Sequence, residues 1–149
     1  LKQYYPYETF RDDVKALRKE LKTFEIDTIV GVARGGLTLA HALGESLELR
    51  RVETLRTELY DATQKREHFR LFGMCDLSGS KHVLVVDDIA DSGETLEAVM
   101  KSLRKEYPEI VFTTATLFYK KSSCFEPDFW VHEAKAWIEF FWESDFLAE

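Results

Sequence analysis

Apolar residues recur at Phe10, Val14, Leu17, Leu21 and Phe24, one helical turn apart at each step. That spacing predicts an amphipathic helix from about Thr9, where Thr9 and Asp12 resemble a capping box. Residues 28–33, Thr-Ile-Val-Gly-Val-Ala, form a short run rich in β-branched side chains that ends at Arg34-Gly35-Gly36 and reads as a buried strand. Leu39, Leu43 and Leu47 return to helical spacing and predict a second helix over 37–47. Residues 52–60 alternate loosely, as a half-exposed strand does. Residues 61–70 are polar and charged, offer no apolar face before Phe69, and read as a mobile loop. After a turn at Ser78-Gly79-Ser80, residues 81–87 make the clearest buried strand, and it runs into two acids, Asp87 and Asp88. A helix over 93–106 turns Leu96, Val99, Met100 and Leu103 inward and stops before Pro108. Residues 110–119, 129–132 and 137–141 are further β-rich runs.

Strands and helices alternating in this order predict an α/β fold: a central, mainly parallel sheet with helices on both faces. Ligands bind such sheets beyond the carboxyl ends of the strands. The polar residues that finish 28–33, 81–87 and 110–119 should therefore converge on one crevice.

The chain has 149 residues, 45% hydrophobic and 13% aromatic, which suits a single domain over 1–149 with its own core. Its 27 acids outnumber its 20 Lys and Arg residues, for a formal charge of -7, which argues against nucleic acid as a partner. No run approaches the roughly 18 apolar residues of a membrane helix, so no stable membrane insertion is expected and the protein reads as soluble and cytoplasmic. Cys75 and Cys124 stand far apart, and His41, His68, His82 and His132 have no metal-like spacing. The charge is uneven: residues 126–149 carry seven acids against one base, while the first 125 residues are close to neutral.

The densest chemistry lies in Val83-Leu84-Val85-Val86-Asp87-Asp88-Ile89-Ala90-Asp91-Ser92-Gly93-Glu94-Thr95. Adjacent carboxylates at a strand end are costly unless a divalent cation or sugar hydroxyls sit beside them. The following loop offers the opposite polarity. Backbone N–H groups from Asp91 to Thr95, the Ser92 and Thr95 hydroxyls and the positive end of the next helix together suit a monophosphate. For the loop taken alone, helix capping by Asp91 or Ser92 is an equally good reading. Arg34-Gly35-Gly36 likewise suits either an anion, with Arg34 forked onto its oxygens, or a plain tight turn. Lys120 and Lys121 follow a central strand and should send at least one ammonium toward the crevice.

The string from Val83 to Thr95 resembles the 5-phosphoribosyl-1-pyrophosphate (PRPP) binding motif of type I phosphoribosyltransferases, with Ser92 where Thr is usual. The likeness extends in order along nearly the whole chain, most closely to the short bacterial xanthine-guanine phosphoribosyltransferases. It is carried by Val32-Ala33-Arg34-Gly35-Gly36-Leu37, by the polar 60–70 stretch and by Trp137-Ile138-Glu139-Phe140-Phe141-Trp142-Glu143, in which Phe141 replaces the usual Pro. The resemblance implies transfer of the 5-phosphoribosyl group from PRPP to N9 of a 6-oxopurine, with Mg²⁺ as cofactor. It implies that Asp87, Asp88, Asp91, Ser92, Gly93, Glu94 and Thr95 bind the ribose 5-phosphate, with Asp88 also holding the metal. Ala33, Arg34, Gly35 and Gly36 would bind pyrophosphate, with a cis peptide before Arg34. Arg66, from a flexible 61–70 loop, would act catalytically on the leaving group, and Asp91 beside purine N7. Lys120 would donate to the 6-oxo oxygen, Trp137 would stack on the base, and the Trp137 and Ile138 carbonyls would take the 2-amino group of guanine. A small C-terminal hood over about 120–149 and a homodimer or homotetramer are implied as well. A PRPP-sensing regulator without turnover, and a transferase for a non-purine base, stay open as alternatives.

Overall fold

A computed structural model describes the backbone of residues 1–62, 66–72 and 75–147, and their side chains outside 58–72. In chain order the elements are β1 (Lys2–Tyr5), α1 (Tyr7–Leu21), β2 (Thr28–Ala33), α2 (Leu37–Ser46), β3 (Val52–Ala62), β4 (Arg66–Phe72), β5 (His82–Ala90), α3 (Glu94–Glu106), β6 (Val111–Tyr119), β7 (Phe129–Glu133), β8 (Trp137–Phe140) and α4 (Phe141–Ser144). The main sheet runs β4-β3-β2-β5-β6-β7, and β1 pairs with β8 apart from it. Only β4 is antiparallel to its neighbour.

The apolar runs take the central strands because both faces of those strands are covered. Alternation along β2 and β5 divides their side chains between two cores. Ile29, Leu84 and Val86 pack with Leu17 and Leu21 of α1 and Leu39 and Leu43 of α2. Val30, Val83 and Val85 pack with Leu96, Val99 and Met100 of α3 on the opposite face. The chain passes from β2 outward to β3 on one side and returns to β5 on the other, so the strand order switches direction between β2 and β5. The ends of β2 and β5 therefore open the crevice that such a switch creates.

Several expectations change. Helix α1 starts at Tyr7 with Pro6 as its N-cap and no side-chain cap bond, so Thr9 and Asp12 form no capping box. Pro6 loses nothing there, since its position needs no N–H donor. Phe24 lies past the helix end and meets His82 and Phe129 edge-on. Residues 61–70 are not a loop throughout: β3 continues to Ala62 and pairs with β4 in a hairpin, from Arg56↔Phe72 to Ala62↔Arg66. A hairpin at a sheet edge satisfies its backbone on the ladder and tolerates a polar sequence, which hides it from an apolar-periodicity reading. Strand β5 also runs past the acids to Ala90.

The hood is smaller than expected and is shared between the chain ends. β7 forms the edge of the main sheet, and only the part after Glu133 stands outside it, with β8 paired to β1 from Lys2↔Trp137 to Tyr5↔Phe140. β1, four residues that pair with no other strand, gives no periodicity to read. Tyr5 pins this ribbon to the body. Its hydroxyl donates to buried Asp13 Oδ2 at 2.5 Å, and the same oxygen lies 2.7 Å from His132 Nε2. Burial and the Asp13 carboxylate push the Tyr5 phenol well above its ordinary range, so it stays a donor. The Tyr5 ring is edge-on to Phe118, Phe140 and Trp142. Phe141, at the first position of α4 where Pro would be pre-organised, packs edge-on against Tyr7 and Phe10 instead.

Asp13→Ala leaves the Tyr5 hydroxyl buried without its acceptor and lowers the unfolding free energy by about 2–3 kcal/mol, measured by urea denaturation. Asp13→Asn, which keeps an acceptor oxygen, loses less.

Candidate active site

Both faces of β5 are sealed by core, so the strand delivers Asp87 and Asp88 to its crevice end with only 8% and 9% of their surface exposed. Each carboxylate accepts one backbone N–H: Asp88 N–H donates to Asp87 Oδ1 and Ile89 N–H to Asp88 Oδ1, both at 2.8 Å. One N–H apiece does not replace water. Burial, reinforced by the charge of Asp88, raises the Asp87 pKa well above the carboxylate range. Burial, with the charge of Glu143 added, pushes Asp88 up to about 6. In the free protein the pair thus favours a proton, or a cation in its place.

Three cavities meet at Asp88, and Asp87 lines two of them. A bowl of about 220 Å³ is made by residues between Asp87 and Leu96, including Asp91, Ser92, Gly93 and Thr95. Gly93 has φ +86°, which favours glycine, and a Cβ there would overlap the Ser123 hydroxyl and come within 2.6 Å of Phe125 N. The bowl is braced from that side, where Cys124 N–H donates to Ser92 O at 2.8 Å. Ser92 Oγ accepts from Glu94 N–H at 3.2 Å. Glu94 itself does not line the bowl.

A wider crevice of about 870 Å³ is bounded by Ala33, Arg34 and Gly35 from the β2–α2 turn, by Thr57, and by Glu143. The Ala33–Arg34 peptide is cis, as the resemblance implies. A Cβ at Gly35 would overlap the Asp88 carboxylate, and one at Gly36 would lie 2.6 Å from Val86 O, so the turn is seated directly on β5. Gly36 is a packing position and does not line the crevice.

The third cavity, about 390 Å³, is lined by Asp88, Asp91, Lys120, Lys135, Trp137 and Ile138 among others. Lys120 follows β6 and is tied to the end of β5 by its N–H to Ala90 O at 3.0 Å; its Nζ lies 3.6 Å from Asp91 Oδ1. Trp137 keeps 67% of its surface exposed at the rim, a large ring available to a flat ligand.

Thus the predicted residues gather around one centre, with Arg66 apart: it opens β4, and its side chain lies outside the described residues, as do those of Lys65, His68 and Arg70. Sequence reasoning passed over Thr57, Lys135 and Glu143 as site residues. Lys135 had a signal, standing two residues before Trp137, and Glu143 directly follows the aromatic run. Thr57 had none, because its place depends on how β3 pairs with β2. Among the described residues no group of three or more His, Cys, Asp or Glu side chains could by itself hold a metal ion. Among the described residues no helix is long and apolar enough to cross a membrane.

The phosphoribosyl transferase domain family matches residues 2–148. A xanthine-guanine phosphoribosyltransferase of Idiomarina loihiensis is 33% identical over 132 residues, covering 85% of this chain and 76% of that protein. The structure of a Helicobacter pylori xanthine-guanine-hypoxanthine phosphoribosyltransferase superposes with a TM-score of 0.90 at 36% identity, over 97% of this chain and 96% of the other. A purine phosphoribosyltransferase from Pyrococcus horikoshii gives a TM-score of 0.85 at 30% identity, over 99% and 98% of the two chains.

Because the native pKa of Asp88 lies above its unfolded value, the folded protein holds more protons than the unfolded chain between about pH 4 and 6, and stability falls as pH rises through that window. The displacement from 3.8 to about 6 corresponds to about 3 kcal/mol at pH 7. Asp88→Asn is therefore expected to stabilise the protein in EDTA at pH 7 by up to about that amount, and far less at pH 4, in urea unfolding followed at both pH values.

Proposed function

Since the chain belongs to the phosphoribosyl transferase domain family, we propose that it is a purine salvage enzyme. It transfers the 5-phosphoribosyl group of PRPP to N9 of guanine, xanthine or hypoxanthine, releasing pyrophosphate and forming a nucleoside 5′-monophosphate. The observation that carries this reading is the meeting of three cavities at Asp88, two of them lined by Asp87 as well, one for each part of the two substrates. The bowl of residues 87–96 suits the 5-phosphate and the arginine-lined crevice suits pyrophosphate. The cavity beside Trp137 suits a base, and the acid pair lies where the ribose hydroxyls must pass.

The residues divide the work as follows. Asp87 and Asp88 accept hydrogen bonds from the ribose hydroxyls and fix C1 between the nucleophile and the leaving group. Arg34 and the backbone of the 33–35 turn hold pyrophosphate, and Arg66 approaches it from the hairpin. As the bond from C1 to the pyrophosphate oxygen breaks ahead of full attack by N9, positive charge develops on the sugar, and the acids stabilise it. Lys120 and Asp91 lie 3.6 Å apart, a donor and an acceptor side by side. They match the neighbouring O6 acceptor and N7–H donor on the edge of a 6-oxopurine. Adenine, with an amine at that position, would face Lys120 donor to donor and be rejected. Asp91 accepts the N7 proton or its hydrogen bond as N9 becomes the nucleophile.

Mg²⁺ is the cation this reading requires. The donor chemistry fits: two buried acids of raised pKa back directly onto the turn assigned to an anion, and Asp88, with Asp87 beside it, would hold the ion together with substrate oxygens. When bound, the ion supplies the positive charge that lets these acids and an anionic substrate share one crevice. We place the enzyme in the cytoplasm, as a homodimer or homotetramer.

Incubation with PRPP and Mg²⁺ should release pyrophosphate with guanine, xanthine or hypoxanthine and not with adenine, uracil or orotate. Release only with a pyrimidine would assign the fold to another acceptor, and PRPP binding without release for any base would assign it to sensing. Asp91→Asn is expected to lower kcat by about 10²–10⁴-fold, and full turnover in that variant would remove its proton-transfer role.

A further inference from the structure

Two lysines line the base cavity, and the reading above uses only one. Lys120 stands beside Asp91, on the side assigned to O6 and N7. Lys135 lines the same cavity from the turn between β7 and β8, two residues before Trp137. We propose that Lys135 sets the choice at purine C2, selecting for xanthine over guanine. This rests on the purine reading above and extends it to a position that reading leaves unranked.

Placement comes first. Ala134 N–H donates to Tyr119 O at 2.9 Å and holds the start of the turn against the end of β6. Pairing of β8 with β1 fixes its other end at Trp137. Lys135 is thus carried on a short turn anchored at both sides, next to the two carbonyls assigned to the C2 substituent. The nearest acid is Glu133, whose Oε1 lies 4.0 Å from Lys135 Nζ and 3.7 Å from Lys121 Nζ. At 4.0 Å this is attraction without a hydrogen bond, and the lysine side chain is 77% exposed, so its three N–H donors can turn to a ligand.

The three 6-oxopurines differ only at C2. Xanthine presents a carbonyl oxygen there and is the most acidic of the three, so the oxygen facing Lys135 can carry negative charge and accept a charge-assisted hydrogen bond. Hypoxanthine presents a C–H, which neither gains nor clashes. Guanine presents an amine, and an ammonium beside that amine sets donor against donor. For guanine the neighbouring carbonyls must offset this repulsion; for xanthine Lys135 offsets theirs.

The test is kcat/KM for xanthine, guanine and hypoxanthine, from pyrophosphate release by the full chain, in the wild type, Lys135→Gln and Lys135→Arg. The xanthine-to-guanine ratio is expected to fall about tenfold or more in Lys135→Gln and to be restored by Lys135→Arg. A merely structural lysine would lower all three substrates together, and a ratio within about twofold of wild type would overturn the proposal. Wild-type use of guanine and hypoxanthine without xanthine would overturn it as well, leaving the purine reading intact. Turnover of none of the three would overturn that reading beneath it.

Discussion

Two carboxylates held side by side out of water repel each other and forfeit hydration, and the end of β5 does this with Asp87 and Asp88. Everything around the crevice follows from how that cost is imposed. β5 lies between β2 and β6 with helices over both faces, so its apolar run has nowhere else to go and carries the acids with it. The 33–36 turn is seated on the same strand through glycines, which brings a surface suited to anions against a surface of acids. Neither is comfortable alone. A cation and a sugar between them would satisfy both, and a protein without such ligands would gain stability by losing the acids.

The switch in strand order between β2 and β5 makes the crevice, and the pairing of β1 with β8 furnishes its other wall. Tyr5, Asp13 and His132 link that wall to α1 and to the edge strand β7. The wall beside the cavity proposed for the base is thus built from residues at opposite ends of the chain. The negative charge of residues 126–149 falls into place here. Glu133 lies within 4.0 Å of the Lys121 and Lys135 ammonium groups and Glu143 adds its field to Asp88, while Arg34, glycine backbone and hydroxyls line the parts assigned to phosphate beside the acids of β5.

Much of this was legible in the chain because it is written in short local patterns. The apolar runs of β2 and β5 announce burial on two faces, and the glycines and hydroxyls directly after them mark sharp turns, which the resemblance rather than local pattern assigned to phosphate. The cis peptide before Arg34 came from resemblance, not from any local rule. What local pattern could not show depends on pairing across distance. β1 has a meaning only when Trp137–Phe140 lies beside it. The polar β4 is a strand because β3 supplies its ladder. Thr57 and Lys135 reach the site through the register of elements whose own sequences are unremarkable.

The central claim is that burial holds the Asp87 and Asp88 pKa values above the ordinary carboxylate range in the free protein, and that substrate and a cation bound together would bring them down. Carbon-13 NMR titration of the two aspartate carboxyl carbons, in the free protein and with PRPP and Mg²⁺ bound, measures this directly. The account predicts that in the free protein at least one of the pair keeps its proton well above the ordinary carboxylate range, with Asp88 titrating near 6, and that both are ionised throughout that range in the complex. Ordinary carboxylate titration of both residues in the free protein would contradict it.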